Sequence, residues 1–420
     1  MPEPGPEDFE RARLDLLDRI QMPALATVQR RARVLRRRRR GLALAAAALA
    51  CLVALGMGTL VLGQRSGVPS PAAASASGDA GSVWRGGGLT LYGLTGPVLD
   101  LPGDLRDVQF ADRQHGYALA TACTGGICRV TLGASTDGGQ SWAAWSAPTN
   151  DVPLSQVPAL VTLASQSVLL VQSDGIWVRP DGPDTWHLIS PSNPTTVAAV
   201  PPGGRLWQEP STDCVPGGIR VFGPDGTPAS LATTPALDVC WVAPAPALDG
   251  SWWVGGRVPR GQGTAPAVAV SRDDGRSWHV SPLPGPDGAW GQVSVLGTDV
   301  FASVLSLRGG NPYPETRTIH AVYRSAAGGA FTPYAGSIGT LIGDVVPLLD
   351  GRLAAAGPNW YLSTGSGAAL STAPTPAGGS MPWVYRVQRT AGCWVAYNLF
   401  QAGWAAISTD GESWRKINLR

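Results

Sequence analysis

Histidine, cysteine and paired carboxylates are the side chains that bind metals or move protons, and this chain spaces them too widely for either task. Its four histidines stand at 115, 187, 279 and 320, and no C-x-x-C pair accompanies them. No metal site or cofactor is therefore expected. Beyond residue 63 there are three glutamates, at 209, 315 and 412, a thin supply for acid–base catalysis. The residue types that do recur at fixed spacing are Ser, Asp, Gly and Trp. Ser135 to Trp142 reads S-T-D-G-G-Q-S-W, Ser271 to Trp278 reads S-R-D-D-G-R-S-W, and Ser408 to Trp414 reads S-T-D-G-E-S-W, one residue shorter. Their chemistry is that of a tight turn between antiparallel strands. Ser135, Asp137, Ser271, Asp273, Ser408 and Asp410 can hydrogen-bond the amides of the turn, Gly139 and Gly275 supply a backbone that other residues resist, and Trp142, Trp278 and Trp414 enter the next strand. Glu412 falls inside the third turn, which removes it from any catalytic inventory.

This pattern resembles the Asp-box, or bacterial neuraminidase repeat. That resemblance implies a turn between the third and fourth strands of a β-propeller blade. Weaker relatives stand at Arg179 to Trp186 (R-P-D-G-P-D-T-W) and Ser325 to Phe331 (S-A-A-G-G-A-F). The aromatic anchors then fall at 142, 186, 278, 331 and 414. A motif-free blade fits around Phe222 to Leu231 and a degenerate turn near Ser363 to Leu370. The count is seven, at about 45 residues per step, which suits four-stranded blades. The strand pattern agrees with it. In the first blade Leu105 to Phe110, Gly116 to Ala122, Cys128 to Ala134 and Trp142 to Trp145 read as strands. In the last, Trp383 to Val387, Cys393 to Leu399, Gly403 to Ser408 and Trp414 to Leu419 do so. Leu89 to Leu94 either closes the ring or adds a strand. The run L-R-D-V-Q-F-A-D-R-Q-H-G-Y-A-L-A, from Leu105, followed by the first turn, is similar to a blade of photosystem-assembly-factor-like and related extracytoplasmic propellers. The expected fold is thus all-β, a seven-bladed propeller over 89–420.

The elements that carry this domain are read from composition. Gly and Pro number 54 and 37 among 420 residues, charged residues make up 15%, and there are sixteen tryptophans; a turn-dense fold with large rings in its core meets those figures, and disorder does not. Net charge is +2, and the positive excess lies in residues 1–40, which hold eleven Arg against six acids. From residue 64 onward acids outnumber bases, which argues against nucleic-acid binding. Between Arg40 and Gln64 an uncharged stretch of Ala, Leu and Val, residues 41–63, would span roughly 34 Å as a helix. Arg36, Arg37, Arg38, Arg39 and Arg40 precede it and Arg65 follows, so the positive-inside rule places the N-terminus in the cytoplasm and the remainder outside. The expected protein is single-pass, in the cytoplasmic membrane. A cleaved signal peptide is the competing reading, with Ala74, Ser75 and Ala76 as its site; a 40-residue leader ahead of the apolar run disfavours it. Residues 1–40 form a basic cytoplasmic segment in which Phe9, Leu16, Leu17 and Ile20 have helical spacing, either a solvated tail or a docking helix. Residues 64–88, rich in Pro, Ala, Ser and Gly, read as a flexible linker.

Export places five of the six cysteines in an oxidising space. Cys123 and Cys128 flank T-G-G-I and could staple one hairpin; Cys214 and Cys240 could pair between neighbouring blades, leaving Cys393 over. Loops between second and third strands lie on the face opposite the repeated turns. Two are basic: one carries Arg257 and Arg260, the other Arg308, Tyr313, Glu315 and Arg317. They form either a surface for an anionic or polar partner or solvated insertions. Because sialidases share the turn motif, an exo-glycosidase is an enzymatic alternative. That resemblance would require an R-I-P arginine, two further clamping arginines and a Tyr–Glu nucleophile pair; no R-I-P occurs. The expected function is a non-enzymatic binding or assembly module with a protein or glycan partner outside the membrane. A transmembrane signalling component with a cytoplasmic docking helix is a third reading.

Overall fold

A computed structural model describes residues 83–86, 89–93, 101–149, 151–172, 175–180, 185–190, 194–208, 214–307, 317–341, 344–356, 360–365, 370–372, 386–397 and 404–418. The basic segment, the apolar run 41–63 and most of the linker lie outside these residues. Among the described residues no helix is long and apolar enough to cross a membrane.

The strands assemble into seven sheets, each a blade. Blade one takes Asp104–Phe110, Gly116–Thr124, Ile127–Ser135 and Ala143–Trp145 in meander order. Blade two takes Ala159–Thr162, Val168–Val171, Ile176–Arg179 and His187–Ile189. Blade four runs Asp238–Val242, Trp252–Arg260, Gly263–Ser271 and His279–Pro282; blade five runs Trp290–Leu296, Asp299–Leu307, Arg317–Ser325 and Phe331–Ala335. Blade six consists of Val345–Pro347, Leu353–Ala356, Trp360–Ser363 and Leu370–Thr372. Blade seven has Arg386–Arg389, Trp394–Tyr397, Trp404–Ser408 and Ser413–Asn418. Blade three departs from the meander. Its strands Arg205–Trp207, Arg220–Phe222 and Pro228–Leu231 follow in order, with Val215–Pro216 between the first two joining the sheet of blade four, while Thr195–Val197 pairs parallel to Pro228–Leu231 at the far edge.

The strand boundaries follow from alternation and turns. In the central strands both faces are covered by neighbouring blades, so apolar residues run almost unbroken, as in Val168–Val171, where every residue is buried. Each blade interface holds one apolar cluster, seven in all among the described residues. The tryptophans do the filling. Trp360 of blade six and Trp414 of blade seven meet edge to face at 4.9 Å, and Phe110 meets Trp142 at 6.1 Å. Between blades four and five the backbones come so close that a β-carbon on Gly255 would lie 2.1 Å from the Gly291 carbonyl; only glycine fits there.

Ring closure uses no shared inner strand. Blade seven is complete, and Leu89–Tyr92 adds to its outer edge, parallel to Ser413–Asn418, with Trp84–Gly86 beyond it. The open question over Leu89 to Leu94 is thereby answered as an extra strand, and the strand Trp84–Gly86 falls within the stretch read as linker. Leu89 and Leu91 are buried against blades six and seven. The first and last blades are joined directly by the Gln388 amide, which donates to the Val108 carbonyl at 2.9 Å, and by Arg415, which donates to the Gly138 carbonyl at 3.2 Å.

Candidate functional site

The repeated turns are structural. Each links the third strand of its blade to the fourth. In the first, the Ser135 hydroxyl donates to Asp137 at 2.9 Å and accepts from the Gly139 amide at 2.8 Å, and Asp137 accepts from the amides of Gln140 and Ser141. Ser271 and Asp273 repeat this with the amides of Gly275 and Ser277, and Ser408 and Asp410 with those of Gly411, Glu412 and Ser413. Gly139, Gly275 and Gly411 adopt φ of 80°, 90° and 81°, the left-handed region that suits glycine. The hydroxyl and amide of Ser277, with the Ser271 hydroxyl, hold the Asp273 carboxyl down to about 2. These carboxylates are saturated with local donors.

The second-to-third connections, at the opposite end of each sheet, differ from the loops expected. Arg257 and Arg260 belong to the strand Trp252–Arg260, which pairs residue by residue with Gly263–Ser271 to a two-residue turn at Gly261 and Gln262. Gly261, at φ 59°, permits so tight a reversal, and the basic stretch is a hairpin arm. Arg257 is tied to Asp238 at 3.4 Å, and Arg260 is exposed. Arg317 opens the third strand of blade five, forms an ion pair with buried Asp344, and lies 5.9 Å over the Trp290 ring. Arg308, Tyr313 and Glu315 lie outside the described residues. The structure thus places Arg257 and Arg317 in intramolecular pairs and leaves Arg260 available at this end.

Cystines anchor the same end. Cys123 and Cys128 face each other across the tip of the blade-one hairpin and are bonded, and Cys214 is bonded to Cys240 on the inner strand of blade four, beside the pairing of Val215–Pro216 with that strand. Cys393 is free and buried. Near the cystines Ile127, Leu154 and Val215 are exposed, as is Leu307 at the end of the second strand of blade five. His187 and His279 are exposed first residues of outer strands, whereas His115 binds Asp112 and His320 meets Ser306. No group of three metal-ligating side chains occurs among the described residues.

Polar side chains of the inner strands bond across neighbouring blades, and no motif marks them. Gln109 donates to the Leu160 carbonyl at 2.7 Å and to Asp107 at 2.8 Å; Arg205 donates to the Thr162 carbonyl at 2.6 Å and to Gln109 at 3.3 Å. Enclosure by protein pushes the Arg205 guanidinium down to about 10, with Asp107 opposing the shift. Beside this lattice lies a cavity of about 110 Å³ between the inner strands of blades four to seven. Gln292, Asp344 and Arg389 line it, with Leu248 at its edge. A glutamine inside a largely apolar strand, such as Gln292 in W-G-Q-V-S-V-L, was the available signal.

No protein-family model matches the chain, and no curated protein matches it. Among solved structures it is similar to the WD40 β-propeller domain of Doa1, at 12% identity and TM-score 0.38, over 76% of this chain and 95% of that one. It is also similar to the extracellular domain described for a one-component system of B. thetaiotaomicron, at 9% identity and TM-score 0.39, over 73% of this chain and 39% of that one.

Proposed function

We propose that this chain is a non-enzymatic, membrane-anchored binding module whose propeller is displayed outside the cytoplasmic membrane, where it holds a protein partner. The observation that carries the reading is the hairpin end of the disc. Two cystines brace its connections, and exposed Ile127, Leu154, Val215 and Leu307 share that end with Arg260. Exposed apolar groups on a braced framework favour association, because little ordering entropy is lost on binding. Cystines also favour an oxidising compartment, in keeping with the arginine block and apolar run that precede the domain. The bonding within the three S-x-D turns supports a place among Asp-box propellers. Their Asp side chains serve the turns, which leaves them no catalytic part.

Photo-crosslinking residues placed at Ile127, Val215 and Arg260 in membranes of the native host test the reading. One reproducible protein captured from all three positions, and lost when Val215→Asp and Leu307→Asp are combined, is expected. Capture restricted to positions on the repeated-turn face would overturn the assigned surface. Glycan turnover by the purified chain would overturn the non-enzymatic assignment. Recovery of cytoplasmic regulators that depends on residues 1–22 would replace it with signalling.

A further inference from the structure

The two cystines differ in their surroundings. Cys214 and Cys240 are both half-buried and pack against an apolar cluster. Cys123 stands exposed on the arm of the blade-one hairpin, whereas its bonded partner Cys128 is 0% exposed, in a cluster with Val130 and Val152. The tip between them is clear of the rest of the molecule: a β-carbon on Gly125 or Gly126 would meet no atom within 4 Å. A cation serves the exposed sulfur. Arg106 Nη2 lies 3.8 Å from Cys123 Sγ, and its Nε donates to the Thr121 hydroxyl at 2.6 Å, which fixes the guanidinium. Arg129, on the hairpin itself, is tied to Asp151; among the described residues Arg106 makes no ion pair. The bond contributes little to the fold. It closes a sequence separation of 5 residues, against 26 for the other cystine, and so restricts the unfolded chain less. Strand pairing continues to Thr124 and Ile127 at the tip, and the Leu154 amide donates to the Gly126 carbonyl at 2.9 Å, so the hairpin is held without it.

An exposed sulfur beside a fixed cation, bonded to a sulfur enclosed by protein, has the asymmetry of an exchanging pair: the cation stabilises one thiolate, and enclosure withholds the other sulfur from attack. We infer that Cys123–Cys128 is a thiol–disulfide exchange site that oxidises a dithiol on a protein partner. The partner's first thiol gives up its proton and bonds to Cys123 Sγ; the Cys123–Cys128 bond breaks, and Cys128 leaves as a thiolate that takes up a proton. The partner's second thiol gives up its proton and bonds to the first sulfur, releasing Cys123 as a thiolate beside Arg106. Two electrons pass from the partner, which gains a disulfide, to the cystine, which becomes two thiols. Ile127 and Leu154, 48% and 56% exposed at the same tip, favour a protein over a small hydrophilic thiol. That choice of reductant rests on the partner surface proposed above; the exchange itself does not.

The detergent-solubilised full chain, incubated with graded dithiothreitol and then alkylated, is read cysteine by cysteine by mass spectrometry, with circular dichroism as the check on folding. Cys123 and Cys128 are expected to become reduced together while Cys214–Cys240 stays bonded and the dichroism is unchanged. In the Cys128→Ser variant, oxidised glutathione should form a mixed disulfide on Cys123; in Cys123→Ser, Cys128 should remain unmodified. Adding Arg106→Met to Cys128→Ser is expected to slow alkylation of Cys123 about threefold or more, through a smaller thiolate fraction, and Arg106→Lys to retain much of the rate. Two peptides carrying C-x-x-C, one flanked by Leu and one by Ser, distinguish the reductants. Faster reduction of the cystine by the Leu peptide supports a protein partner; equal rates overturn that source and assign a small thiol. Simultaneous reduction of both cystines, or reduction only as the dichroism is lost, overturns the exchange site and leaves a structural staple. So does preferential modification of Cys128, or an alkylation rate indifferent to Arg106→Met. Should the Arg106 variants fail to fold, the order in which the two cystines of the unaltered chain are reduced decides.

Discussion

At the residue scale, hydrogen-bond saturation separates framework from function. Asp273 accepts from Ser271, from Ser277 and from the Ser277 amide, and its carboxyl is held at about 2 against an ordinary 3.8. A depressed carboxylate stabilises the folded state above its unfolded pKa, and that contribution is lost as pH falls from near 3.8 toward 2. Melting temperatures measured from about pH 5 down to about 2 should therefore fall more steeply for the native chain than for Asp273→Asn, which is less stable at neutral pH and flatter below it. The Arg317–Asp344 pair makes the opposite point about burial. Side-chain exposures of 15% and 2% mean that the pair is held largely away from water. Arg317→Met should cost about 3 kcal/mol in denaturant unfolding, with the paired change Arg317→Met and Asp344→Leu recovering much of it.

At the scale of elements, segments distant in sequence hold the blades together. Leu91 on the added outer strand is 1% exposed, and Leu91→Ala should cost about 3 kcal/mol, as large a loss as a core change in any central strand. Were Leu89–Tyr92 an ornament on a finished blade, the measured cost would be near zero. The cystine Cys214–Cys240 closes a separation of 26 residues. Replacing both cysteines by serine should lower stability by about 3 kcal/mol through the greater freedom of the unfolded chain. Equal stability of the native and serine forms would show that the Val215–Val239 pairing alone suffices. Blade three shows what an element cannot do alone: its far edge is filled by Thr195–Val197, from the stretch that precedes the blade.

At the scale of the molecule, seven sheets pack face to face through one apolar cluster at each interface, and each blade depends on two neighbours. The contacts between blades seven and one, through Gln388 and Arg415, complete that dependence. Unfolding should accordingly be a single cooperative transition of the domain, checked by coincidence of the tryptophan-fluorescence and circular-dichroism curves; two separated transitions would mean that the ring opens before the blades melt. The proposed anchoring makes its own prediction. A phosphatase fused after Arg420, which is active only when exported, should be active in the host, and an inactive fusion would reverse the assigned orientation.

The sequence by itself determined the blades, because their signal is local. A turn such as S-T-D-G-G-Q-S-W closes its own hydrogen bonds within a few residues, and the strands beside it alternate apolar residues with a period that neighbours in the chain can read. The blade count and most strand positions in blades one and seven were legible on that ground alone. The tertiary structure decided what depends on residues far apart in the chain. Arg257 reads as a free basic group until Asp238 is brought beside it. Leu89–Tyr92 reads as an isolated strand until the last blade offers its edge. Gln292 and Arg389, nearly a hundred positions apart, line one cavity between the inner strands of different blades. Such groups carry no motif, since their partnership is set by the order of blades around a ring and by how far each inner strand reaches along its axis.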